Sequence, residues 1–97
     1  MFRHVALFRF TPESTPEQRL AALEGLRSLP GQIPELVDYR VGPDVGAAED
    51  NFDLAVVADF AEPEHFDVYR DHPAHEAVAS TLVRPLLAAR AAVQYEI

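Results

Sequence analysis

The chain has no cysteine, and its eight basic residues are all arginine. Without cysteine there is no disulfide framework, no thiolate nucleophile and no thiolate metal ligand. Positive charge is scarce: eight arginines face sixteen acidic residues, for a net charge of −8. The arginines are scattered and form no basic stripe. A surface that neutralises phosphates needs clustered cations, so a nucleic-acid partner is excluded. No stretch approaches the roughly 20 consecutive apolar residues that span a bilayer. The opening MFRHVALFRF is interrupted by Arg3, His4 and Arg9, which rules out the apolar core of a signal peptide. A cytoplasmic protein with no membrane partner is therefore the expectation. Gly-rich phosphate loops, paired carboxylates and Ser-His-Asp sets are also missing at any recognisable spacing.

What is present is one domain, residues 1–97. A chain of this length buries only about 60 to 65% of the surface that its unfolded form exposes, so a partner or ligand is expected to add to its stability.

FRHVALFRF, Phe2 to Phe10, alternates, with His4, Ala6, Phe8 and Phe10 on one face and Arg3, Val5, Leu7 and Arg9 on the other. A helix follows in TPEQRLAALEGLRSLPG, with Thr15 as N-cap, Pro16 at the first helical position and Gln18 completing a capping box. Leu20, Leu23 and Leu26 supply its apolar stripe. ELVDYRVGPDV reads as a second strand, with Val37, Tyr39 and Val41 alternating, and residues 42–51 as a loop. FDLAVVADF, Phe52 to Phe60, is the most apolar strand and is expected to be central and buried on both faces. Pro63 starts a helix that presents Phe66 and Tyr69 one turn apart, with His65 exposed in its first turn. Pro73 ends that helix and opens another, PAHEAVASTLVRPLL, capped by His72. AAVQYEI makes a terminal strand.

The order β-α-β-β-α-β predicts an α+β, ferredoxin-like fold: a four-stranded antiparallel sheet with helices on one face. Val5, Leu7, Ala55 and Val57 then point away from the helices, and they are too apolar to leave wet. A second copy packed face to face would cover them, giving a homodimer in the form of a dimeric α+β barrel.

HVALFRF, LPGQIPELVDYRVGPDV, FDLAVVADF and YRDHPAH together resemble the stress-responsive dimeric α+β barrel (Dabb) family over Phe2 to Ile97. The most specific pieces are H-x-x-L, His4 to Leu7, and H-P-x-H, His72 to His75. The resemblance implies the same dimeric barrel, and extends to a branch of plant polyketide cyclases whose working tyrosine and histidine correspond to Tyr69 and His75. His4 corresponds to a pocket histidine of that branch. Leu54 stands where those cyclases carry a second strand histidine, a departure expected to alter the pocket.

The residue chemistry suits such a role. Closing a ring by aldol condensation needs a base for a C–H beside a carbonyl and a donor for the oxyanion that forms. Histidine, with an ordinary pKa of about 6.5, serves as the base near neutrality. Tyrosine stays protonated and donates. A position near a helix start keeps His75 in its neutral form. His4 sits behind the pair, where it could orient His75, and Ala6, Phe8, Val56 and Phe66 line the pocket, which is expected to take a small organic carbonyl compound. No cofactor is implied. A metal reading of His72, His75 and Glu76 requires His72 to abandon its cap and lacks a third marked ligand; haem, held by a helical histidine in other dimeric barrels, has no distinguishing mark here. Two functions stay open: a cofactor-independent cyclase or lyase, and a non-catalytic small-molecule-binding or stress-associated protein.

Overall fold

Strand β1 (Phe2–Phe10) alternates in burial along its length, with His4, Ala6, Phe8 and Phe10 on the buried side, as the two-residue period of a strand requires. The computed structural model describes Met1 to Ile97. β1 lies inside a four-stranded antiparallel sheet ordered β2-β3-β1-β4, with β2 at Asp38–Pro43, β3 at Leu54–Phe60 and β4 at Leu87–Glu96. Helices α1 (Pro16–Arg27), α2 (Glu64–Asp71) and α3 (Pro73–Val78) complete the ferredoxin-like βαββαβ order, with the second helix divided in two. Their apolar residues, Ala22, Leu26 and Tyr69 among them, share one core with the inner face of the sheet.

Register decides which residues can meet. His4 is opposite Ala58 on β3 and Gln94 on β4, and Phe8 is opposite Leu54 and Arg90. Directly paired residues share a face, so Gln94 and Arg90 project from the same side of the sheet as His4 and Phe8. Tyr39 is opposite Ala58 and joins that inner face from β2.

The outer face runs in rows. Val5 pairs with Val57 and Val93, and Leu7 pairs with Ala55 and Ala91. Val5, Leu7, Ala55 and Val57 are half-buried within one chain, and Val93 is 58% exposed. At one end of this apolar surface Arg3 donates two hydrogen bonds to Asp59, at 2.7 and 2.8 Å. The guanidinium holds the Asp59 carboxyl below its ordinary range.

Local chemistry fixes the helix ends. The Thr15 hydroxyl accepts from the Gln18 N–H at 3.1 Å and the Gln18 side chain accepts from the Thr15 N–H at 2.8 Å, the expected capping box. Gly25 lets α1 approach the segment beyond α3 closely, since a Cβ there would sit 2.7 Å from Leu82.

Several expectations are corrected. Leu20 is 53% exposed, and α1 buries Ala22 and Leu26 instead, because the helix meets the sheet along a narrower line than three leucines would cover. Within a single chain the outer side of β3 is half-buried at Ala55 and Val57, the rows that a second copy would cover. His65 is half-buried, not exposed. The last helix is much shorter than expected: it widens into a π turn at Ala79–Val83, tightens at Arg84–Leu86, and enters β4 four residues before Ala91. Pro85 explains the stop, since it has no N–H to continue the helical ladder. No helix is long and apolar enough to cross a membrane.

Candidate functional site

The junction between α2 and α3 is built by a diversion of hydrogen bonds. In a continuous helix the Ala74 N–H would bond to the Arg70 carbonyl, four residues back. Pro73 breaks that ladder, and the His72 ring turns onto its own helix start, where Nδ1 accepts from the Ala74 N–H at 3.0 Å. The Arg70 carbonyl is thereby left to the His75 ring, whose Nδ1 lies 2.9 Å away. A carbonyl oxygen can only accept, so the proton is on Nδ1 and the lone pair of neutral His75 is on Nε2. Burial is the leading cause that lowers the His75 pKa from its ordinary value, with Arg84 and Arg90 adding to it and the Arg70 carbonyl and Glu76 opposing. Burial, more than the helix start, keeps this imidazole neutral.

Tyr69 packs beside it, with ring centroids 4.4 Å apart. Tyr69 is only 3% exposed, wedged against Phe60 and Phe66. Its hydroxyl is 3.1 Å from the hydroxyl of Tyr39 on β2. Burial raises the pKa of both phenols, so each remains a donor at neutral pH.

His4 is 4% exposed and packs against Phe66 at a tilt, with centroids 4.7 Å apart. The Gln94 amide is 3.0 Å from its Nδ1 and donates to it, which puts the His4 proton on Nε2. Burial first, then Arg90 and His75, lowers its pKa to about 4. The expectation that His4 orients His75 is corrected: its hydrogen bond goes to Gln94, while Arg70 orients His75.

These side chains border a cavity of about 340 Å³ between the sheet and the α2–α3 segment. His4, Tyr69 and His75 line it together with Ala6, Phe8, Val56 and Phe66, so the structure brings all seven residues to one space. Three arginines, Arg70, Arg84 and Arg90, and one acid, Glu76, also border it. Leu54 does not. It is buried at the start of β3, opposite Phe8, and borders different clefts.

The model of the stress responsive A/B barrel domain matches residues 2–97. The chain belongs to that family. Among solved structures, a dimeric ferredoxin-like protein of unknown function from Thermobifida fusca is 44% identical, with a TM-score of 0.90 over 99% of this chain and 90% of its own. A dimeric protein of unknown function with a ferredoxin-like fold from Bacteroides fragilis is 23% identical, with a TM-score of 0.86 over 99% of this chain and 95% of its own. A hydroxynitrile lyase from Passiflora edulis is 20% identical, with a TM-score of 0.85 over 99% of this chain and 92% of its own. The last two likenesses establish the shared fold. No curated protein matches the chain.

Within this A/B barrel domain, sequence reasoning missed Tyr39, Gln94, Arg84 and Arg90. Tyr39 carried a signal, since it alternates with Val41 toward the inner face. Arg90 and Gln94 are four apart and share a face, but a last strand begun at Ala91 leaves Arg90 outside it.

Proposed function

We propose that the protein is a homodimeric enzyme that binds a small organic carbonyl compound in this cavity and acts on it without a cofactor, in the manner of a polyketide cyclase or a related lyase. His75 is the general base, Tyr69 the hydrogen-bond donor to the developing oxyanion, and His4, with its Nε2–H, a second polar group of the pocket. The observation that carries the reading is the bond from His75 Nδ1 to the Arg70 carbonyl, which commits one ring nitrogen and leaves the other as a base beside Tyr69.

In the proposed step, His75 Nε2 takes a proton from the carbon next to a carbonyl, and the C–H electron pair moves to the carbonyl oxygen, which the Tyr69 O–H stabilises as an enolate. The enolate carbon attacks a second carbonyl of the same molecule, forming the ring bond. The alkoxide produced takes back the proton held by His75, so no oxidant, reductant or external acid is consumed. The cavity volume falls in the range of small-molecule sites, and its apolar lining from Ala6, Phe8, Val56 and Phe66 favours the carbon skeleton of such a substrate.

Dimerisation is part of the proposal. The apolar rows holding Val5, Leu7, Ala55 and Val57 support it, as do the dimeric relatives.

The first chemical step is testable without the natural substrate. In D₂O, 4-oxo-4-phenylbutanoate exchanges the hydrogens beside its ketone slowly, and proton NMR follows their loss. Wild-type protein is expected to accelerate the exchange and His75→Ala to abolish the acceleration. Exchange no faster than in buffer would overturn the enzymatic reading, and binding of the compound without exchange would favour a non-catalytic binder.

A further inference from the structure

We infer that the ligand is an anion, a carbonyl compound bearing a carboxylate that docks on Arg90 at the β4 side of the cavity. The inference rests on the proposed reading of the cavity as a ligand site and adds the charge of what it takes.

Arg90 is the only one of the eight arginines without a partner. Arg3 is held by Asp59, Arg19 by Ser14, Thr11 and Asp53, Arg40 by Asp38, and Arg70 by Asp67 and Asp71. Arg84 faces Glu76 at 3.7 Å. Arg27 donates to the Val41 carbonyl, and Arg9 donates to the Asp50 carbonyl while lying over the Phe52 ring. In a chain with sixteen acidic residues and a net charge of −8, an arginine with neither a carboxylate nor a carbonyl partner stands out. The cavity reverses the balance of the chain, because three arginines and a single glutamate border it.

Arg90 is exposed on the edge strand β4 and borders the cavity. It pairs with Phe8 across the β1–β4 ladder and projects from the same face as Gln94, whose amide holds His4. Its charge reaches all three working groups, acting on His4 and His75 to disfavour their protonation and on Tyr69 to favour the phenolate. None of the ion pairs of the chain includes Arg90. A ligand carboxylate would pair with the planar guanidinium through two parallel hydrogen bonds. The level of Arg90 is four strand positions from that of His4, about 13 Å along β4. A ligand whose carboxylate sits on Arg90 therefore reaches the level of His4 only across several bonds. Docking also screens Arg90 from His75 and raises the proton affinity of the base when substrate is in place.

The experiment is calorimetric titration of the full-length protein at pH 7.5 with 4-oxo-4-phenylbutanoate and, separately, its uncharged methyl ester. The acid is expected to bind at least about tenfold more tightly, the scale of a hydrogen-bonded charge. Arg90→Gln should remove that preference by weakening the acid about tenfold while leaving the ester within about twofold, and Arg90→Lys should restore part of it. The side chain is exposed and unpaired, so neither substitution should shift thermal unfolding. Equal affinity of acid and ester for the wild type, or a preference that persists in Arg90→Gln, overturns this inference alone. Failure of both compounds to bind at millimolar concentration overturns the cavity reading and this inference with it. Preferred binding of the acid without catalysed exchange supports the inference while removing the enzymatic proposal.

Discussion

The Nδ1–H of His75 donates to the carbonyl of Arg70 across a break between two helices, at 2.9 Å. The bond exists because Pro73 breaks the helix and the His72 ring takes up the Ala74 N–H, which in a continuous helix would claim that carbonyl. Arg70 and His72 before one proline, with Ala74 and His75 after it, thus set which nitrogen of His75 is basic.

Substitution of His72 tests this coupling. His72→Ala should cost about 1 kcal/mol of capping stability. Beyond that cost, it frees the Ala74 N–H to compete for the Arg70 carbonyl. Nitrogen-15 NMR of the His75 ring should then show a mixed tautomer, with catalysed exchange falling in step. An unchanged tautomer would separate the cap from the site.

His75→Ala should reduce catalysed exchange by about 10²- to 10⁴-fold, the range of general-base catalysis, in a dimer that stays folded. Tyr69→Phe should cost about 10²-fold or more by removing the oxyanion donor. Tyr39→Phe, which removes only the hydroxyl behind Tyr69, should cost about fivefold, the scale of one neutral hydrogen bond. A Tyr39→Phe protein as impaired as Tyr69→Phe would mean that Tyr39 itself reaches the ligand.

The pH dependence of stability should follow His4. Its folded pKa is lowered to about 4, against about 6.5 in the unfolded chain, so the unfolded state binds more protons between these values. Stability from this group is complete above about 6.5 and is lost as pH falls toward about 4, on the order of 3 kcal/mol in all. His75, lowered in the same direction, adds to the slope. Urea unfolding between pH 7 and 4.5 should show the decline, and His4→Gln should flatten it. Activity should fall over the same acid limb as His75 protonates.

Val57→Asp places a charge in the middle of the outer apolar rows. Light scattering should then give a mass near 10.8 kDa in place of a dimer, with lower thermal stability. A wild-type protein that already scatters as a monomer would remove the dimer from the proposal.

The legible features of the sequence are those written within a few residues. Thr15 with Gln18, His72 with Pro73, and the alternation of β1 each follow from one turn or one strand, and each is in the structure. The pairing of Tyr39 with Tyr69 and of Gln94 with His4 depends on register across 30 and 90 residues, which no local rule supplies. Leu20 misled because helical spacing shows which residues share a stripe, not how much of the stripe the sheet covers. Pro85 was a visible stop signal, and reading through it hid Arg90 from the inner face of β4.

The Tyr39–Tyr69 contact has an optical consequence. The chain holds three tyrosines and no tryptophan, so its near-ultraviolet emission comes from tyrosine alone. Two of the three emitters touch each other, Tyr69 in the cavity wall and Tyr39 behind it, and the third, Tyr95, lies 46% exposed on the opposite face of the sheet, in register with Arg3. Filling of the cavity and covering of the outer face therefore perturb different fluorophores. With Tyr95→Phe and Tyr39→Phe proteins to divide the signal, the two events can be timed separately without attaching a dye.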